Sequence, residues 1–328
     1  MKKLYVYFLL IIVFIFCLPI IFTNPFESEE VLAEPSIQNI IEEEKFDYGE
    51  YSVIRLLHED SGVIENIDLD TYLYGVVSAE MPASYELEAL KAQAIVARTY
   101  TIFKIKNGSK HENADICDNS MCCQAWISKE NRMARWEFDK KEDYWNKIVT
   151  AVNSTKGKIA MYNGQPINAF FHSNSGGKTE LPINVWGGSY PYLQVVATSG
   201  EEFYTTYNSE VEISKDELIQ KMLEKYSKFE IDFSDSNCIS IIEYTEGERV
   251  KKVKIGNIEV SGVEIRNIFG LKSAKFKIEI MGEKIKFSVL GYGHGVGLSQ
   301  SGSDALAKQG KNCEEIIKYY YKDVEISE

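Results

Sequence analysis

One glutamate stands where an apolar residue would be expected. Asp70 to Met81 has helical periodicity, and Leu73, Val76, Val77 and Glu80 fall at i, i+3, i+4 and i+7 on one apolar face. A carboxyl group set among apolar neighbours favours its neutral form, so its pKa rises. A carboxyl that is protonated near neutral pH can protonate a leaving oxygen, which is what cleavage of a glycosidic bond requires. Pro82 stops the helix, and this puts Glu80 in the last turn, at the rim of a cleft. The same pattern also fits a structural role, in which Glu80 pairs with a buried arginine such as Arg98 or caps a backbone.

A second group of reactive side chains is the run His111-x5-Cys117-x4-Cys122-Cys123. Imidazole and thiolate in one short loop suit tetrahedral zinc, with His111, Cys117 and Cys123 as three ligands and Cys122 or a nearby carboxylate as the fourth. Adjacent cysteines point in different directions, which argues against using both 122 and 123. The spacing matches no common zinc finger. A disulfide from Cys117 to Cys122 or Cys123 is the competing reading for a protein outside the cell. Cys17 falls in an apolar N-terminal run, and Cys238 and Cys313 are isolated and read as core residues.

The elements that must position these groups are legible in outline. Residues 51–57 and 63–67 read as strands. Asp68 or Asp70 caps the Glu80 helix, and a second helix starts near Ser84, burying Leu87, Leu90, Ala94, Ala97 and Thr101. Residues 108–126 read as a loop and 140–155 as a helix. Strands over 158–162 and 167–172 flank an Asn163-Gly164 hairpin turn. A helix over 215–225 has Ser214 as N-cap, with Glu217 completing a capping box. From Ile239 to Leu290 the chain is mostly alternating and β-branched, with strands over 250–255, 258–260, 274–280 and 284–289. Helices follow over 302–308 and 313–321. The class is α+β: helices and antiparallel β-rich segments in two lobes around a cleft, with a division between residues 46–175 and 176–328.

The chain of 328 residues carries a net charge of −13, which speaks against nucleic acid or an anionic membrane surface as partner and leaves a neutral polymer acceptable. Leu4 to Phe22 is almost purely apolar and long enough to span a bilayer. Lys2 and Lys3 precede it, and Glu27, Glu29 and Glu30 follow it. The N-terminus is therefore expected in the cytoplasm and the rest outside, with residues 1–23 as anchor and 24–45 as linker. A cleaved signal peptide ending at Val31-Leu32-Ala33 is the alternative, though that site lies well past the apolar run.

Three blocks carry a resemblance. Ser78-Ala-Glu-Met-Pro82 followed by Lys91-Ala-Gln-Ala-Ile-Val-Ala-Arg-Thr-Tyr100 resembles the signature of the stage II sporulation protein D family. Phe171-His-Ser-Asn-Ser-Gly-Gly177 and Gly291-Tyr-Gly-His-Gly-Val-Gly-Leu-Ser-Gln-Ser-Gly302 resemble its second and third blocks. The resemblance spans nearly the whole chain beyond residue 53. It implies a lytic transglycosylase of peptidoglycan that breaks the bond between N-acetylmuramic acid and N-acetylglucosamine and leaves a 1,6-anhydro end. Glu80 would be the single acid/base. It also implies a role in forespore engulfment by the mother cell, a preference for glycan stripped of its stem peptides, and two partners, the amidase stage II sporulation protein P and the membrane protein stage II sporulation protein M. Some members carry a zinc site, which favours zinc over a disulfide at His111, Cys117, Cys122 and Cys123, first of all in a structural role.

The glycines of the second and third blocks permit tight turns and close approach to a ligand. His172, Ser173, Ser175, His294 and Gln300 can bond sugar hydroxyls or acetamides, with Lys178 and Tyr292 as weaker candidates, so both loops are expected to line the glycan groove. His172 and His294 fit equally well as structural histidines in turns. Three rivals remain. A zinc peptidase or amidase lacks an H-E-x-x-H motif, and a serine hydrolase on Ser173 or Ser175 lacks a G-x-S-x-G elbow. The third is a non-catalytic glycan-binding scaffold that recruits an amidase.

Overall fold

A computed structural model of the chain describes residues 48–327. The expected anchor and linker fall outside the described residues. Among the described residues no helix is long and apolar enough to cross a membrane.

Strands β1 (Val53–His58) and β2 (Val63–Asp68) form an antiparallel hairpin that delivers the chain to α1 (Leu69–Glu80). Asp68 is the cap: its carboxylate accepts the Thr71 N–H at 2.9 Å. Asp70, the other candidate, sits in the first turn and pairs with Arg98. Helix α2 (Leu87–Lys106) begins after Glu86, later than the expected start near Ser84. It is buried on nearly every side between Ala89 and Ile102, including Gln93, Arg98, Thr99 and Thr101. A single buried face was expected. The difference arises because its alanines admit close neighbours all round.

Strand β3 (Ile116–Cys117) runs parallel to β1, with Leu57 opposite Cys117, so the cysteine-rich segment is tied to the first sheet. Helices α3 (Lys129–Met133) and α4 (Lys141–Asn153) follow. Strands β4 (Ile159–Tyr162) and β5 (Gln165–Pro166) turn on Asn163 and Gly164, both at positive φ, 50° and 71°, as the hairpin turn demands. The expected strand over 167–172 shortens to β6 (Phe171–His172), because the Asn168 N–H is taken by the Tyr192 hydroxyl at 2.9 Å.

The β-rich block comprises β7 (Asn208–Ser214), α5 (Lys215–Lys225), β8 (Ile239–Tyr244), β9 (Val250–Ile255), β10 (Ile258–Ser261), α6 (Gly262–Phe269), β11 (Lys275–Met281) and β12 (Lys284–Leu290). They form two antiparallel sheets, ordered β10-β9-β8 and β11-β12-β7. Ser214 caps α5 by accepting the Glu217 N–H, but the Glu217 carboxylate turns to Lys221 at 3.4 Å instead of closing a capping box. Helix α6 fills the part of the β-rich block, between the strands expected over 258–260 and 274–280, to which no element was assigned. Ser261 caps it, and Gly270, at φ 65°, ends it.

The chain closes with β13 (Leu298–Ser299), α7 (Gln300–Lys308), α8 (Cys313–Tyr320) and β14 (Glu325–Ser327). β13 lies parallel to β6, with Ser299 opposite His172, and β14 pairs with β4. Gly297 makes the first pairing feasible: at φ 72°, a Cβ there would stand 2.0 Å from the Phe170 carbonyl oxygen.

The class is thus mixed α/β with antiparallel sheets. Its hydrophobic residues divide into two clusters. One joins Leu73, Val76, Ile95 and Ile159 to Leu298, Ile316 and Tyr320. The other is drawn from the β-rich block, including Ile213, Met222, Val253, Phe276 and Phe287. The C-terminal helices therefore return to the first cluster, and the apolar residues do not divide between 175 and 176.

Candidate active site

Glu80 ends α1 half-buried, above Leu73, Val76 and Val77, which are fully buried on the same face. Its Oε1 accepts the Ala125 N–H at 2.7 Å, and its Oε2 accepts from Gln300 Nε2 at 3.3 Å. Burial raises the pKa, and the two donors, by favouring the anion, oppose the rise. Burial prevails, so the carboxyl stays above its ordinary range. No second carboxylate among the described residues contributes to this balance. Arg98 is not its partner: fully buried, it bonds Asp70 Oδ1 at 3.2 Å and the Lys158 and Val152 carbonyls. Gln93 is linked indirectly, its Oε1 accepting from Gln300 at 3.5 Å.

The segment that supplies the Ala125 N–H is the one with the clustered thiols. The ligand atoms of His111, Cys117, Cys122 and Cys123 all lie within 4.8 Å of one another. His111 Nε2 stands 3.6 Å from Cys122 Sγ and 3.5 Å from Cys123 Sγ, and the two sulfurs are 4.0 Å apart. Zinc–ligand bonds of about 2.3 Å to sulfur and about 2.0 Å to nitrogen imply tetrahedral edges of about 3.8 Å between sulfurs and about 3.5 Å between sulfur and nitrogen. His111, Cys122 and Cys123 match such edges, and Cys117 lies within 4.8 Å of them, near enough to complete the donor set. Among the described residues no disulfide joins these cysteines. Both vicinal cysteines converge, contrary to expectation, because the N–H groups of Cys122 and Cys123 both bond the Asn119 carbonyl. The chain there makes a helix-like turn, in which successive side chains diverge by about 100°.

Comparison with known proteins bears on the same segment. The family model described as stage II sporulation protein, SpoIID, matches residues 58–162, a stretch that holds Glu80 and the whole His/Cys group. The chain is 37% identical over 267 residues to stage II sporulation protein D of Bacillus subtilis (strain 168), covering 81% of this chain and 76% of that protein. With stage II sporulation protein D of Bacillus amyloliquefaciens the identity is 34% over 268 residues, covering 81% and 76%. The chain belongs to the stage II sporulation protein D family. It is also similar to a Bacillus subtilis (strain 168) protein named amidase enhancer, at 29% identity over 301 residues, covering 76% of this chain and 39% of that one.

The family's second and third blocks meet along β6 and β13, but they do not deliver every candidate to Glu80. Only Gln300 bonds it. Ser173 is half-buried, and its carbonyl accepts from both the N–H and the hydroxyl of Ser301 at 3.0 Å. Ser301 in turn stands 3.4 Å from the Tyr85 hydroxyl. Ser175, expected in a groove, is fully buried, and its hydroxyl bonds Glu201 at 2.6 Å. Lys178 pairs with Glu248 at 2.5 Å, and Tyr292 is exposed with the Lys272 ammonium over its ring.

His172 and His294 grip Val296 from two sides. The Val296 carbonyl faces His172 Nδ1 at 3.2 Å, and its N–H donates to His294 Nδ1 at 3.0 Å. Backbone chemistry thus fixes a proton on His172 Nδ1 and a lone pair on His294 Nδ1. Burial, reinforced by Arg249, pushes His172 down to about 3. Burial, with His172 and Arg266, likewise lowers His294. Both are neutral near pH 7. Phe170 and the partly exposed Trp186 flank His294, at ring distances of 6.4 and 5.0 Å.

Two participants escaped the sequence. Ala125 contributes only a backbone N–H, which leaves no mark on residue type. Glu201 is fully buried, yet stands beside Glu202 in an ordinary acidic pair.

Proposed function

We propose that the chain is a peptidoglycan lytic transglycosylase that cuts the bond between N-acetylmuramic acid and N-acetylglucosamine in peptide-stripped strands, acting in engulfment during endospore formation. The observation that supports this reading best is the single carboxyl of Glu80, kept above its ordinary pKa by burial and held by two donors. Protonated Glu80 gives its proton to the leaving glycosidic oxygen as the bond to the anomeric carbon breaks. Ala125 and Gln300 then bond both oxygens of the anion. The C6 hydroxyl of the muramic residue attacks the anomeric carbon, its proton passes to Glu80, and the 1,6-anhydro ring closes. No water is consumed and Glu80 ends as it began, so the mechanism needs no second carboxylate.

In this reading the two lobes border a glycan cleft, and the apolar run within residues 1–23 serves as a membrane anchor, with the catalytic part outside the mother-cell membrane. The relative named amidase enhancer supports association with a wall amidase, here taken as stage II sporulation protein P, with protein M as further partner. His111, Cys117, Cys122 and Cys123 would hold zinc, which supplies a structural cross-link to the loop ending at Ala125.

The test is product analysis by mass spectrometry, with full-length protein in detergent and peptide-stripped strands as substrate. The parallel sample is Glu80→Gln. The amide can turn its oxygen to the Ala125 N–H and its NH2 to a flipped Gln300, so shape is kept while the proton is lost. Anhydro ends from the wild type alone are expected. Reducing ends, or equal cleavage by the variant, would refute the mechanism.

A further inference from the structure

Glu201 is fully buried and makes no direct ion-pair contact with a Lys, Arg or His among the described residues, although the buried Arg249 guanidinium, bonded to the Ser175 carbonyl, feels its charge. Five donors converge on it instead. Oε1 accepts the Ser175 N–H at 3.1 Å and the Ser299 hydroxyl. Oε2 accepts the Ser175 hydroxyl at 2.6 Å, the Thr198 hydroxyl at 2.7 Å and the Gly177 N–H at 3.0 Å. Each oxygen therefore faces one backbone N–H. Hydroxyls can rotate to become acceptors, but backbone donors cannot. An amide in either orientation would set its NH2 against one of them, so the position calls for a carboxylate.

The anchoring continues toward Glu80. Ser299 caps α7 by accepting the Gly302 N–H, and the next residue is Gln300, whose amide bonds Glu80. We infer that Glu201 is a positioning residue: it clamps the start of α7 to the 175–177 turn and so holds Gln300 against the Glu80 carboxylate. The inference rests on the reading of Glu80 as acid/base. Gln300 favours the anion of Glu80, so slackening it lets the Glu80 pKa climb further.

The test uses full-length Glu201→Gln and Ser299→Ala, with Gln300→Ala as the reference for a lost contact. Three quantities are read: kcat and KM on peptide-stripped strands against pH, the carboxyl 13C titration of Glu80, and the melting temperature. The expected result is a fall in kcat of about 100-fold, as for a reacting group misplaced by about 1 Å, with KM little changed. The alkaline limb and the Glu80 titration midpoint should move to higher pH in both variants, as in Gln300→Ala. Ser299→Ala keeps the carboxylate and four of its donors, so it decides the matter if Glu201→Gln does not fold. A folded variant that melts earlier but keeps the wild-type midpoint would overturn the inference. The 13C titration needs no turnover, so it still answers if the wild type yields no anhydro product and the transglycosylase reading falls.

Discussion

Replacing Gly75 by alanine separates two effects that oppose each other. Gly75 lies in the middle of α1, where alanine is favoured by about 1 kcal/mol on helix propensity alone. A Cβ at that position, however, would stand 2.2 Å from Trp126 Nε1, 2.6 Å from its Cδ1 and 2.8 Å from the Ile127 carbonyl oxygen. Carbon contacts are comfortable from about 3.5 Å, so the indole and its backbone must withdraw by about 1 Å. Overpacking of this kind costs about 1–3 kcal/mol, which leaves a net loss of about 0–2 kcal/mol.

Under the proposed mechanism the larger consequence falls at the site. Trp126 follows Ala125, whose N–H reaches Glu80 at 2.7 Å. A shift of about 1 Å carries that donor past about 3.5 Å, where a hydrogen bond is no longer made. Glu80 then keeps its burial and loses one of the two donors that oppose it, so its pKa rises further. A general acid with a raised pKa stays protonated to higher pH, and the alkaline limb of the rate profile moves up. The misplacement should lower kcat about 100-fold. The assay is the pH profile of anhydro-product formation beside thermal unfolding of the same protein. A Gly75→Ala protein that melts higher, as propensity dictates, and keeps the wild-type profile would refute the coupling from α1 through Trp126 to Glu80.

Two further predictions follow from neighbouring contacts. Arg98→Met keeps the volume and removes a fully buried cation from Asp70. Breaking a buried pair costs about 3–5 kcal/mol, and the low end applies because Lys156 still pairs with Asp70 at 3.2 Å. The melting temperature should fall by roughly 10 °C with the Glu80 titration midpoint unchanged, and a moved midpoint at constant stability would show that Arg98 acts on Glu80 after all. With zinc held by the His/Cys group as proposed, a chelator should raise hydrogen exchange at the Ala125 N–H together with loss of zinc by elemental analysis, and readdition should reverse both. Equal exchange before and after would disconnect the cysteine loop from Glu80.

Local chemistry made some parts of the fold readable. An aspartate cap at 68 or 70, Pro82 as stop and the apolar spacing of Leu73, Val76 and Val77 located α1 and gave Glu80 its meaning, because all the signals lie within one short segment. The Asn163-Gly164 turn and the Ser214 cap were readable for the same reason. Helix α6 was hidden although Ser261 and Gly270 mark its ends, because its Val and Ile residues also suit strands and its neighbours are strands. Residue type could not distinguish the groove from the interior at the second block. A serine after His172 suits sugar hydroxyls, but Ser175 is consumed by Glu201, a residue 26 positions away. Gln300 was found through its block, whereas Ala125, a backbone donor brought in by the turn at Asn119, could not have been.

In the proposed mechanism one carboxyl must serve twice in a cycle, and these contacts suit it to both steps. An acid that is too strongly buried would protonate the leaving oxygen but could not remain an anion long enough to receive the next proton. An exposed one would be ionised before the reaction began. At Glu80 burial supplies the first requirement, and the Ala125 N–H and Gln300 amide supply the second by bonding one oxygen each. The donors come from different parts of the chain, one from the segment after the cysteine turn and the other from the start of α7. The balance is therefore set by tertiary placement and not by the helix that carries Glu80. Changes in either supporting segment should move the pH profile in the same direction while leaving α1 intact.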